Sequence, residues 1–397
     1  MSESERCLFI FAGEHSGDLC GAQLLKALHK SQPGLSVHGV GGPNMRASGM
    51  QCFLQMEQFQ VMGYSDVLRS LPRLWKLFQS TLEYILQLQP QVVVLIDYPG
   101  FNLRLAKALR KRGFKHKIVQ YVCPTVWAHG RKRIEQMRQN LDLLLTIFPF
   151  EPPYFAHTSL PVHYAGNPVM EAIDRHAYDA DWQREIGLEK TGELIALFPG
   201  SRQSELKHHI PIQLAAAEML KRDQPSLQFG ISLVKEELRS FMLQQLAGSK
   251  LVLGKDIFLV PKKYSYELMQ ASHTAIAKAG TVTLELALHQ IPTVVMFHIT
   301  WLNRLVLKHL VRLNLPHYSI VNILFNQRVF PELMEQKVTS HSLYAQVQHM
   351  HASSALRQAC ISQCAQLRPL LETDVAGEKI PAASTCAAQA IGRLWTA

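Results

Sequence analysis

The chain has 397 residues, of which 47% are hydrophobic and 18% charged, and its 41 lysines and arginines outnumber its 31 aspartates and glutamates. This length favours two domains over one, and the composition excludes a disordered or low-complexity protein. The basic excess suits an anionic partner such as a phosphorylated metabolite, a nucleic acid or an acidic lipid surface, although many soluble enzymes are equally basic.

The cysteines and the N-terminal residues argue against a secreted or membrane-spanning protein. The seven cysteines lack paired spacing, and Cys360 and Cys364 have no second pair or histidine cluster nearby in the sequence. We therefore expect reduced thiols and no metal site. The opening MSESERCLFIFAG is unlike a signal peptide, and no run reaches about 18 uncharged apolar residues. These features predict a cytoplasmic protein that can still contact a bilayer.

Short apolar segments alternate with amphipathic ones, which is typical of parallel βαβ units. The first series of predicted strands comprises residues 7–13, 35–42, 91–97, 117–123, 141–148 and 163–169. A second series comprises residues 194–200, 227–234, 257–260, 273–278 and 291–298, followed by a helical tail from about residue 340. The pattern predicts an α/β protein with two doubly wound, Rossmann-like domains. Because ligands of such sheets bind at the carboxyl ends of strands, the residues after each strand are the candidates for a site.

The first predicted strand ends in the polar sequence AGEHSGD. Its Glu14, Ser16 and Asp18 are suited to bind sugar hydroxyls or to orient a catalytic group nearby. The alternative is that Ser16 or Asp18 only caps the helix that follows.

Residues 61–79 form an amphipathic segment whose apolar positions, from Val67 to Phe78, fall on one helical face and whose cations fall on the opposite face. The apolar members are Val61, Met62, Val67, Leu68, Leu71, Leu74 and Trp75, and the cations are Arg69, Arg73 and Lys76. Tryptophan and leucine beside cations favour contact with an anionic membrane surface. The alternative is a helix whose apolar face packs on the sheet. Pro72 predicts two short helices rather than one.

The apolar strand QVVVLID ends at Asp97, and Asn102 follows in the turn. Burial at a strand end raises the pKa of a carboxyl group, which suits Asp97 to accept a proton from a hydroxyl. The alternative is that Asp97 caps a turn.

The strand LIALF ends at the sequence PGSR. Gly200 allows close backbone approach, the helix that follows is expected to offer free N–H groups, and Ser201 and Arg202 add polar contacts suited to a phosphate. The motif is neither a Walker loop nor a dinucleotide fingerprint. The alternative is a serine-capped helix with an exposed arginine.

A second such turn opens at Gly280 and Thr281, with Glu285 one helical turn further along. Two anion-binding turns on neighbouring strand ends favour a nucleotide diphosphate, whose ribose diol Glu285 is suited to bind. Taken alone, Glu285 is better explained by its favourable place near the helix N-terminus.

Nine motifs together resemble the lipid-A-disaccharide synthase family. In chain order, from about residue 7 to 340, they are AGEHSGD, GVGGPNM, MGYSDVL, IDYPGFN, YVCPTVWAHG, FPFE, FPGSRQSE, GTVTLE and VNIL. The resemblance implies a GT-B glycosyltransferase with two domains facing across a cleft. The expected divisions are an acceptor- and membrane-facing domain at 1–168, a UDP-sugar domain at 169–364 and a helical tail at 365–397 that can pack back on the first domain.

The resemblance also implies the reaction and its partners. The expected hexosyltransferase joins UDP-2,3-diacylglucosamine to 2,3-diacylglucosamine 1-phosphate (lipid X), with inversion, in lipid A and lipopolysaccharide biosynthesis. The products are a β-1,6 lipid A disaccharide 1-phosphate and UDP. No metal or other cofactor and no nucleic acid is expected, and a homodimer is compatible with the family. The expected location is the cytoplasmic face of the inner membrane, as a peripheral protein.

Site residues follow partly from the same resemblance. It places catalytic roles on Asp97 and Glu14 and donor binding on Arg202, Glu285 and Asn322. The strand-end turns themselves add Ser16, Asp18 and Asn102 as acceptor or other polar contacts, and Gly200, Ser201, Gly280, Thr281 and Thr283 as donor-binding residues. The sequence departs from the family at Asn167, where a histidine is usual, at Val321, where proline is common, and in the loop with Asn326, Gln327 and Arg328.

Two other classes of function stay open at this point. Another GT-B enzyme, such as a UDP-sugar epimerase or the peptidoglycan transferase, would share a UDP site but would not need the amphipathic segment. A non-enzymatic lipid or nucleic-acid binder would explain the net charge of +10. It would not explain why Asp97, Glu14 and Glu285 stand at the ends of strands or the starts of helices.

Overall fold

The computed structural model describes residues 6–59, 64–127, 132–189, 192–297, 316–372 and 379–395, with residues 64–70 described by their backbone only. The chain divides into two compact units. Unit 1 comprises Met1–Glu171 with Leu370–Ala397, and unit 2 comprises Ala172–Pro369. Unit 2 is therefore inserted, in sequence, between two parts of unit 1.

Unit 1 is built on a parallel sheet of seven strands in the order β3-β2-β1-β4-β5-β6-β7. The strands are β1 Cys7–Ala12, β2 Ser36–Gly41, β3 Gln51–Gln55, β4 Val92–Ile96, β5 Lys117–Tyr121, β6 Leu143–Thr146 and β7 Val162–Tyr164. Every residue of β4 is buried, because helices cover both faces of a doubly wound sheet and each strand then buries all its side chains.

The helices of unit 1 connect these strands and complete its core. They are α1 His15–Ser31, α2 Pro43–Ala47, α3 Tyr64–Leu88, α4 Pro99–Lys111 and α5 Lys132–Asn140. A C-terminal helix, Ala383–Gly392, packs its buried Cys386, Ala387 and Ile391 into the same core cluster as Leu24 and Leu28 of α1. Hydrogen bonds also join this C-terminal region to the rest of the unit. The Tyr164 hydroxyl donates to the Leu371 carbonyl (2.8 Å), and the Ser384 amide donates to the buried Glu171 carboxylate (2.7 Å).

Unit 2 is built on a second parallel sheet, of six strands in the order β10-β9-β8-β11-β12-β13. These are β8 Leu194–Phe198, β9 Gln228–Leu233, β10 Ile257–Pro261, β11 Thr274–Lys278, β12 Thr293–Phe297 and β13 Glu332–Met334. The helices that follow α5 along the chain are α6 Pro168–Asp174, α7 Trp182–Glu185, α8 Gln203–Asp223, α9 Arg239–Ala247, α10 Ser265–Ala271, α11 Thr281–Leu288, α12 Ile320–Phe325, α13 Ser340–Ala352, α14 Ser354–Ala365 and α15 Leu367–Glu372. The C-terminal helix Ala383–Gly392 is α16. The boundaries between the units fall within α6 and α15.

The predicted α/β fold of two doubly wound units is confirmed, as are the strands of both predicted series. Two short edge strands, β3 and β13, were not predicted. The expected break at Pro72 is wrong, because α3 runs from Tyr64 to Leu88 with Pro72 inside it. Pro72 is exposed on the surface of this helix. In the described part of the chain, no helix has the length and apolarity needed to cross a bilayer.

Candidate active site

Asp97 follows β4 at the carboxyl edge of the first sheet, in a backbone conformation that few residues adopt. Asp97 and Tyr98 have φ angles of +49° and +42°, and Val122, after the neighbouring strand β5, has a φ of +72°. Left-handed backbone costs non-glycine residues on the order of 1–3 kcal/mol each, most for a branched side chain such as valine, and clusters at functional sites. This edge of unit 1 therefore stores strain around one carboxylate.

Two buried amide side chains hold that backbone in place. The Asn102 amide, from the first turn of α4, donates to the carbonyls of Ile96 (3.2 Å) and Asp97 (2.5 Å). The Gln120 amide, from β5, donates to the carbonyls of Asp97 (3.1 Å) and Val122 (3.2 Å). Both side chains are fully buried. Asn102 is thus a positioning residue for Asp97, and Gln120 links the two strained turns.

The loop after β1 meets the same carboxylate. The Ser16 hydroxyl donates to Asp97 Oδ2 at 3.3 Å. Burial raises the pKa of Asp97 above its ordinary value, and the bonds from the Tyr98 N–H and Ser16 only partly offset this. Glu14, at the N-cap of α1, lies close enough to Tyr98 that its charge, after burial, helps to raise the pKa of that hydroxyl. Glu14, Ser16 and Asp97 therefore share one edge, as the sequence predicts.

Asp18 does not lie open to an acceptor. It is fully buried, and its two oxygens accept hydrogen bonds from the backbone of Gly42 (2.8 Å), Asn44 (3.1 Å) and Met45 (3.0 Å) and from the Asn44 side chain (2.8 Å). It caps the start of α2 and fixes the loop after β2. Asp18 therefore has a structural role in this loop, and its contact with a ligand stays a prediction.

The first described side chains of α3 divide into an exposed and a packed set. Leu71 and Trp75 are 51% and 62% exposed, and Trp75 stacks on Phe78 with ring centroids 5.7 Å apart. Leu74 is half-buried, and Arg73 and Lys76 are exposed. Further along, Leu82 and Ile85 pack into the core. Of the other predicted members, Val61 and Met62 lie outside the described residues, and Val67, Leu68 and Arg69 are described by backbone alone.

In unit 2, the turn after β8 carries its own carboxylate. Glu205 Oε2 accepts hydrogen bonds from the Ser201 N–H (3.1 Å) and the Arg202 N–H (3.4 Å). Gly200 has a φ of +127°, and a Cβ placed there would come within 2.7 Å of the same oxygen. The N–H groups of this turn were expected to be free. In the folded chain, Glu205 instead accepts hydrogen bonds from two of them. A glutamate at the third position of a helix commonly reaches back in this way.

Cations surround that carboxylate. Glu205 Oε1 lies 3.2 Å from Lys278 Nζ, at the end of β11, and 3.9 Å from the exposed Arg202 guanidinium. Burial alone would raise the pKa of Glu205, but Lys278, the Ser201 N–H and Arg202 together leave it below its ordinary value. Glu205 is therefore held ionised in the turn that the sequence predicts to bind an anion.

Glu285 lies beside the second turn, on α11. The Tyr266 hydroxyl donates to its Oε1 at 3.4 Å. Burial raises the pKa of Glu285, and the Tyr266 bond and the Lys262 charge partly offset that rise. Gly280 and Thr281 are exposed at the start of the helix, as a ligand-binding turn requires. Thr283 is fully buried and its hydroxyl donates to the Gly280 carbonyl (2.8 Å), so it fixes the first turn of the helix, and its contact with a donor stays a prediction.

Asn322 is bonded inside unit 2. It is fully buried, its amide donates to the Phe330 carbonyl (2.9 Å), and its Oδ1 accepts from the N–H groups of Val329 and Phe330 (2.9 Å each). These bonds tie α12 to the segment before β13. The Asn322 amide therefore has a structural role in this fold, and its contact with a donor stays a prediction.

Sequence reasoning missed three groups at these edges: Gln120, Glu205 and Lys278. A signal was available for each of them. Gln120 is a polar residue inside the apolar strand KIVQY, Glu205 stands three residues after the N-cap, and Lys278 ends a strand whose next residues form an anion-binding turn. A separate group with metal-like spacing, formed by Glu193, His273 and His351, lies at the opposite, amino edge of the second sheet.

Comparison with solved structures shows the fold. The UDP-GlcNAc 2-epimerase from Neisseria meningitidis bound to UDP-GlcNAc is 10% identical with a TM-score of 0.63, covering 98% of this chain and 99% of that chain. A structure described as the glycotransferase of kitacinnamycin is 14% identical with a TM-score of 0.60, and the match covers 98% of this chain and 99% of that chain. At this identity the likeness supports the two-domain GT-B-like architecture and nothing about substrates.

Comparison with protein sequences shows the family. A lipid-A-disaccharide synthase of Chlamydia pneumoniae is 37% identical over 333 residues, which cover 84% of this chain. The match covers 54% of the chlamydial protein, so the chain spans about half the length of that relative. One from Coxiella burnetii (strain RSA 331 / Henzerling II) is 30% identical over 381 residues, covering 95% of this chain and 97% of that protein. The model of the family described as LpxB: Lipid-A-disaccharide synthetase matches residues 8–380. The chain therefore belongs to the lipid-A-disaccharide synthase family.

Proposed function

We propose that this protein is an inverting hexosyltransferase that joins UDP-2,3-diacylglucosamine to lipid X, releasing UDP and a β-1,6 lipid A disaccharide 1-phosphate. The observation that carries the proposal, within a chain of this family, is the environment of Asp97. A carboxylate at a strand end, with a raised pKa and a backbone fixed by Asn102 and Gln120, is suited to take a proton from an acceptor hydroxyl.

The proposed chemistry in unit 1 is acceptor activation. Asp97 takes the proton of the acceptor 6-hydroxyl as that oxygen attacks the anomeric carbon from the face opposite UDP. Ser16 keeps the carboxylate oriented through its 3.3 Å bond, and Glu14 binds acceptor hydroxyls at the same edge. A positioned base of this kind typically contributes about 10²–10⁴ in rate. The transition state is expected to have oxocarbenium character, as in other glycosyl transfers.

The proposed chemistry in unit 2 is donor binding and leaving-group stabilisation. Arg202 and Lys278, 3.9 Å and 3.2 Å from the Glu205 carboxylate, are the cations that the donor's diphosphate would meet at this edge. Preorganised positive groups aimed at developing charge supply much of the rate of such reactions. We assign this role to the side chains and to the turn at Gly280 and Thr281, without a metal ion. Glu285, oriented by Tyr266, is assigned to the ribose.

The exposed side chains between Leu71 and Lys76 of α3 support a peripheral membrane location. Both proposed substrates carry acyl chains, so the enzyme must meet them at a bilayer surface. Leu71 and Trp75 are exposed apolar side chains next to the exposed cations Arg73 and Lys76. That combination suits the interface of an anionic membrane, where each cation contributes roughly 1 kcal/mol. We propose contact with the cytoplasmic face of the inner membrane through this surface.

The test is a reconstituted assay with purified protein, UDP-2,3-diacylglucosamine and lipid X in mixed micelles, with the linkage of the product determined. We expect a β-1,6 disaccharide 1-phosphate and one UDP per turnover. The matched comparison replaces the donor with UDP-GlcNAc, which should support far slower transfer. Equal use of UDP-GlcNAc, or its epimerisation without transfer, would instead favour another UDP-sugar enzyme of this fold.

A further inference from the structure

Three side chains distant in sequence converge at the amino edge of the second sheet. Glu193 immediately precedes β8 and His273 immediately precedes β11, and these strands pair in parallel with Thr274 opposite Ile195. His351 comes from the last turn of α13. One ligand atom of each lies within 4.8 Å of the others. Sheet pairing and helix packing, rather than chance contact of flexible loops, therefore bring this group together.

The separations suit a single cation between the three side chains. His351 Nε2 is 2.9 Å from Glu193 Oε2, His273 Nε2 is 3.6 Å from Glu193 Oε1, and the imidazole rings have centroids 5.2 Å apart. Zinc bonds to nitrogen and oxygen are about 2.0–2.2 Å long, which places tetrahedral ligand atoms roughly 3.2–3.6 Å apart. Small side-chain rotations bring the three groups to those distances.

We propose that Glu193, His273 and His351 form a binding site for a divalent transition metal, with Zn²⁺ the preferred ion and water in the fourth position. Two imidazoles and one carboxylate form a common protein ligand set for zinc. The Glu193 side chain is 49% exposed and the two histidines 24% and 12%, so an ion can enter from solvent.

The metal site is separate from the proposed sugar transfer. β8 has five residues between Glu193 and the turn that holds Arg202. At about 3.3 Å per residue, the site is roughly 15 Å from the carboxyl edge. The ion would therefore affect stability, because it would join the residues that precede β8 and β11 to α13. The proposal does not depend on the transferase activity.

Arg357 competes with the ion for the side chain of His273. Its guanidinium lies 3.2 Å from His273 Nδ1. Arginine only donates hydrogen bonds, so Nδ1 is the acceptor here and Nε2 carries the proton. Metal binding at Nε2 moves that proton to Nδ1 and ends the bond with Arg357. His351 imposes no such requirement, because its Nδ1 has no hydrogen-bond partner among the described residues.

Isothermal titration of the full, metal-stripped chain with Zn²⁺ tests the proposal. We expect one site, lost or weakened at least tenfold in His273→Ala and in His351→Ala. Arg357→Ala, which removes the competitor and keeps all three ligands, should bind Zn²⁺ several-fold more tightly. His341→Ala is the matched control, since His341 is an exposed histidine of the same helix, and it should bind as the unaltered chain does.

Thermal unfolding with and without Zn²⁺ keeps the test decisive if a histidine variant folds poorly. The unaltered chain and Arg357→Ala should both gain Tm with zinc, and each histidine variant that folds should gain none. Absence of stoichiometric binding in the unaltered chain would overturn the proposal. Binding that survives both histidine substitutions, for example at the exposed Cys52, would overturn it as well.

Discussion

The carboxyl edges of the two sheets use different means to prepare a site. In unit 1, Asp97, Tyr98 and Val122 adopt left-handed backbone around a single carboxylate. In unit 2, the turn after β8 relies on glycine for its positive φ, and charge surrounds it: Arg202 and Lys278 flank Glu205. The same doubly wound architecture thus fixes one group by strain and buried amides in unit 1, and collects several charges in unit 2.

This difference matches the two tasks of the proposed glycosyl transfer. A proton acceptor must be held at one place and kept out of water, and rigid, buried supports achieve that. A leaving diphosphate carries charge over several oxygens, and mobile cations near solvent can follow it. The comparison therefore predicts that conservative changes in unit 1 impair turnover, whereas changes in unit 2 alter nucleotide affinity, downward where a cation is lost and upward where Glu205 loses its charge.

The largest effect is expected from Asp97→Asn. This change keeps the shape of the side chain and removes the base, so turnover should fall by about 10²–10⁴ while UDP affinity is unchanged. Because burial raises the pKa of Asp97 in the folded state, ionised Asp97 opposes folding, and the Tm at neutral pH should not fall. Steady-state kinetics, UDP titration and thermal unfolding measure the three quantities.

The control for this change is Asp181→Asn, at an exposed aspartate of unit 2. It should leave all three quantities unaltered. A rate for Asp97→Asn within threefold of the unaltered protein would show that Asp97 is not the base. The pH dependence of turnover gives a second check. Because the pKa of Asp97 is raised, turnover should begin to fall, as the pH is lowered, above the pH at which an ordinary aspartate titrates.

Arg202→Ala should weaken UDP binding by about 10–150-fold, since a charge-assisted hydrogen bond to phosphate contributes roughly 1.5–3 kcal/mol. Arg222→Ala removes an exposed arginine from the far end of α8 and is the matched control. Calorimetry with UDP separates the two. Unchanged UDP affinity in Arg202→Ala would remove the proposed diphosphate contact from this turn.

The acceptor side is tested at the surface of α3. Replacing Leu71 and Trp75 together by serine should weaken binding to anionic vesicles about tenfold or more. The change removes the two exposed apolar side chains that would enter the membrane interface. Val252→Ser with Leu253→Ser is the control, since these residues of unit 2 are 53% and 48% exposed. Vesicle co-sedimentation measures the binding, and equal retention of both variants would locate the membrane contact elsewhere.

A gain is expected from Glu205→Gln. Glu205 accepts the N–H groups of Ser201 and Arg202, so the diphosphate must compete with it for the same donors. Glutamine keeps the shape and removes the negative charge, and UDP should bind several-fold more tightly. Glu189→Gln, at an exposed site, should have no effect. Weaker UDP binding by Glu205→Gln would mean that the carboxylate orders the turn for the ligand instead of competing with it.

The smallest effect concerns Glu151, which is buried at the carboxyl edge of unit 1 and accepts from the N–H groups of Ile147 and Phe148 (3.1 Å each). Burial raises its pKa to about 8. Between about pH 4 and 8, the folded state therefore keeps a proton on Glu151 that the unfolded state has released. The contribution of Glu151 to the free energy of unfolding is lost as the pH rises through this range.

Glu151→Gln should therefore raise Tm at pH 8 by more than at pH 5, because glutamine can still accept both bonds and never ionises. Glu135→Gln is the control, since the Arg138 and Gln139 side chains lower the pKa of that exposed carboxylate to about 2. Thermal unfolding at the two pH values measures the difference. Equal shifts of Tm at pH 5 and 8 in Glu151→Gln would contradict the raised pKa.

Much of the fold follows from the sequence because buried parallel strands such as VVVLI are continuous apolar runs with little ambiguity. The edge strands β3 and β13 lack that signal, since QCFLQ and ELM are short and half-exposed. The continuous helix through Pro72 was missed for another reason. A proline at an exposed position inside a long helix is tolerated when packing further along, here through Leu82 and Ile85, stabilises the helix.

The candidate site is predictable in position but not in detail. The turns after β1, β4, β8 and β11 could be identified because ligands of such sheets bind at strand ends. A polar residue in such a turn can face a ligand or bond to its own backbone, and the sequence does not distinguish the two. Asp18, Thr283 and Asn322 are of the second kind, because each is buried with its polar atoms bonded inside the protein.

The packing of α16 against α1 has a consequence for synthesis on the ribosome. Between Glu171 and Leu370 the ribosome adds 198 residues, which at about 5–20 residues per second takes roughly 10–40 s. Throughout that interval α1 lacks the apolar cover that Ala387 and Ile391 later provide. Unit 2 has its whole sequence available first, although unit 1 begins the chain. The nascent protein is therefore expected to fold from its middle outward, with an apolar surface on unit 1 that a chaperone can bind until the C-terminal helix emerges.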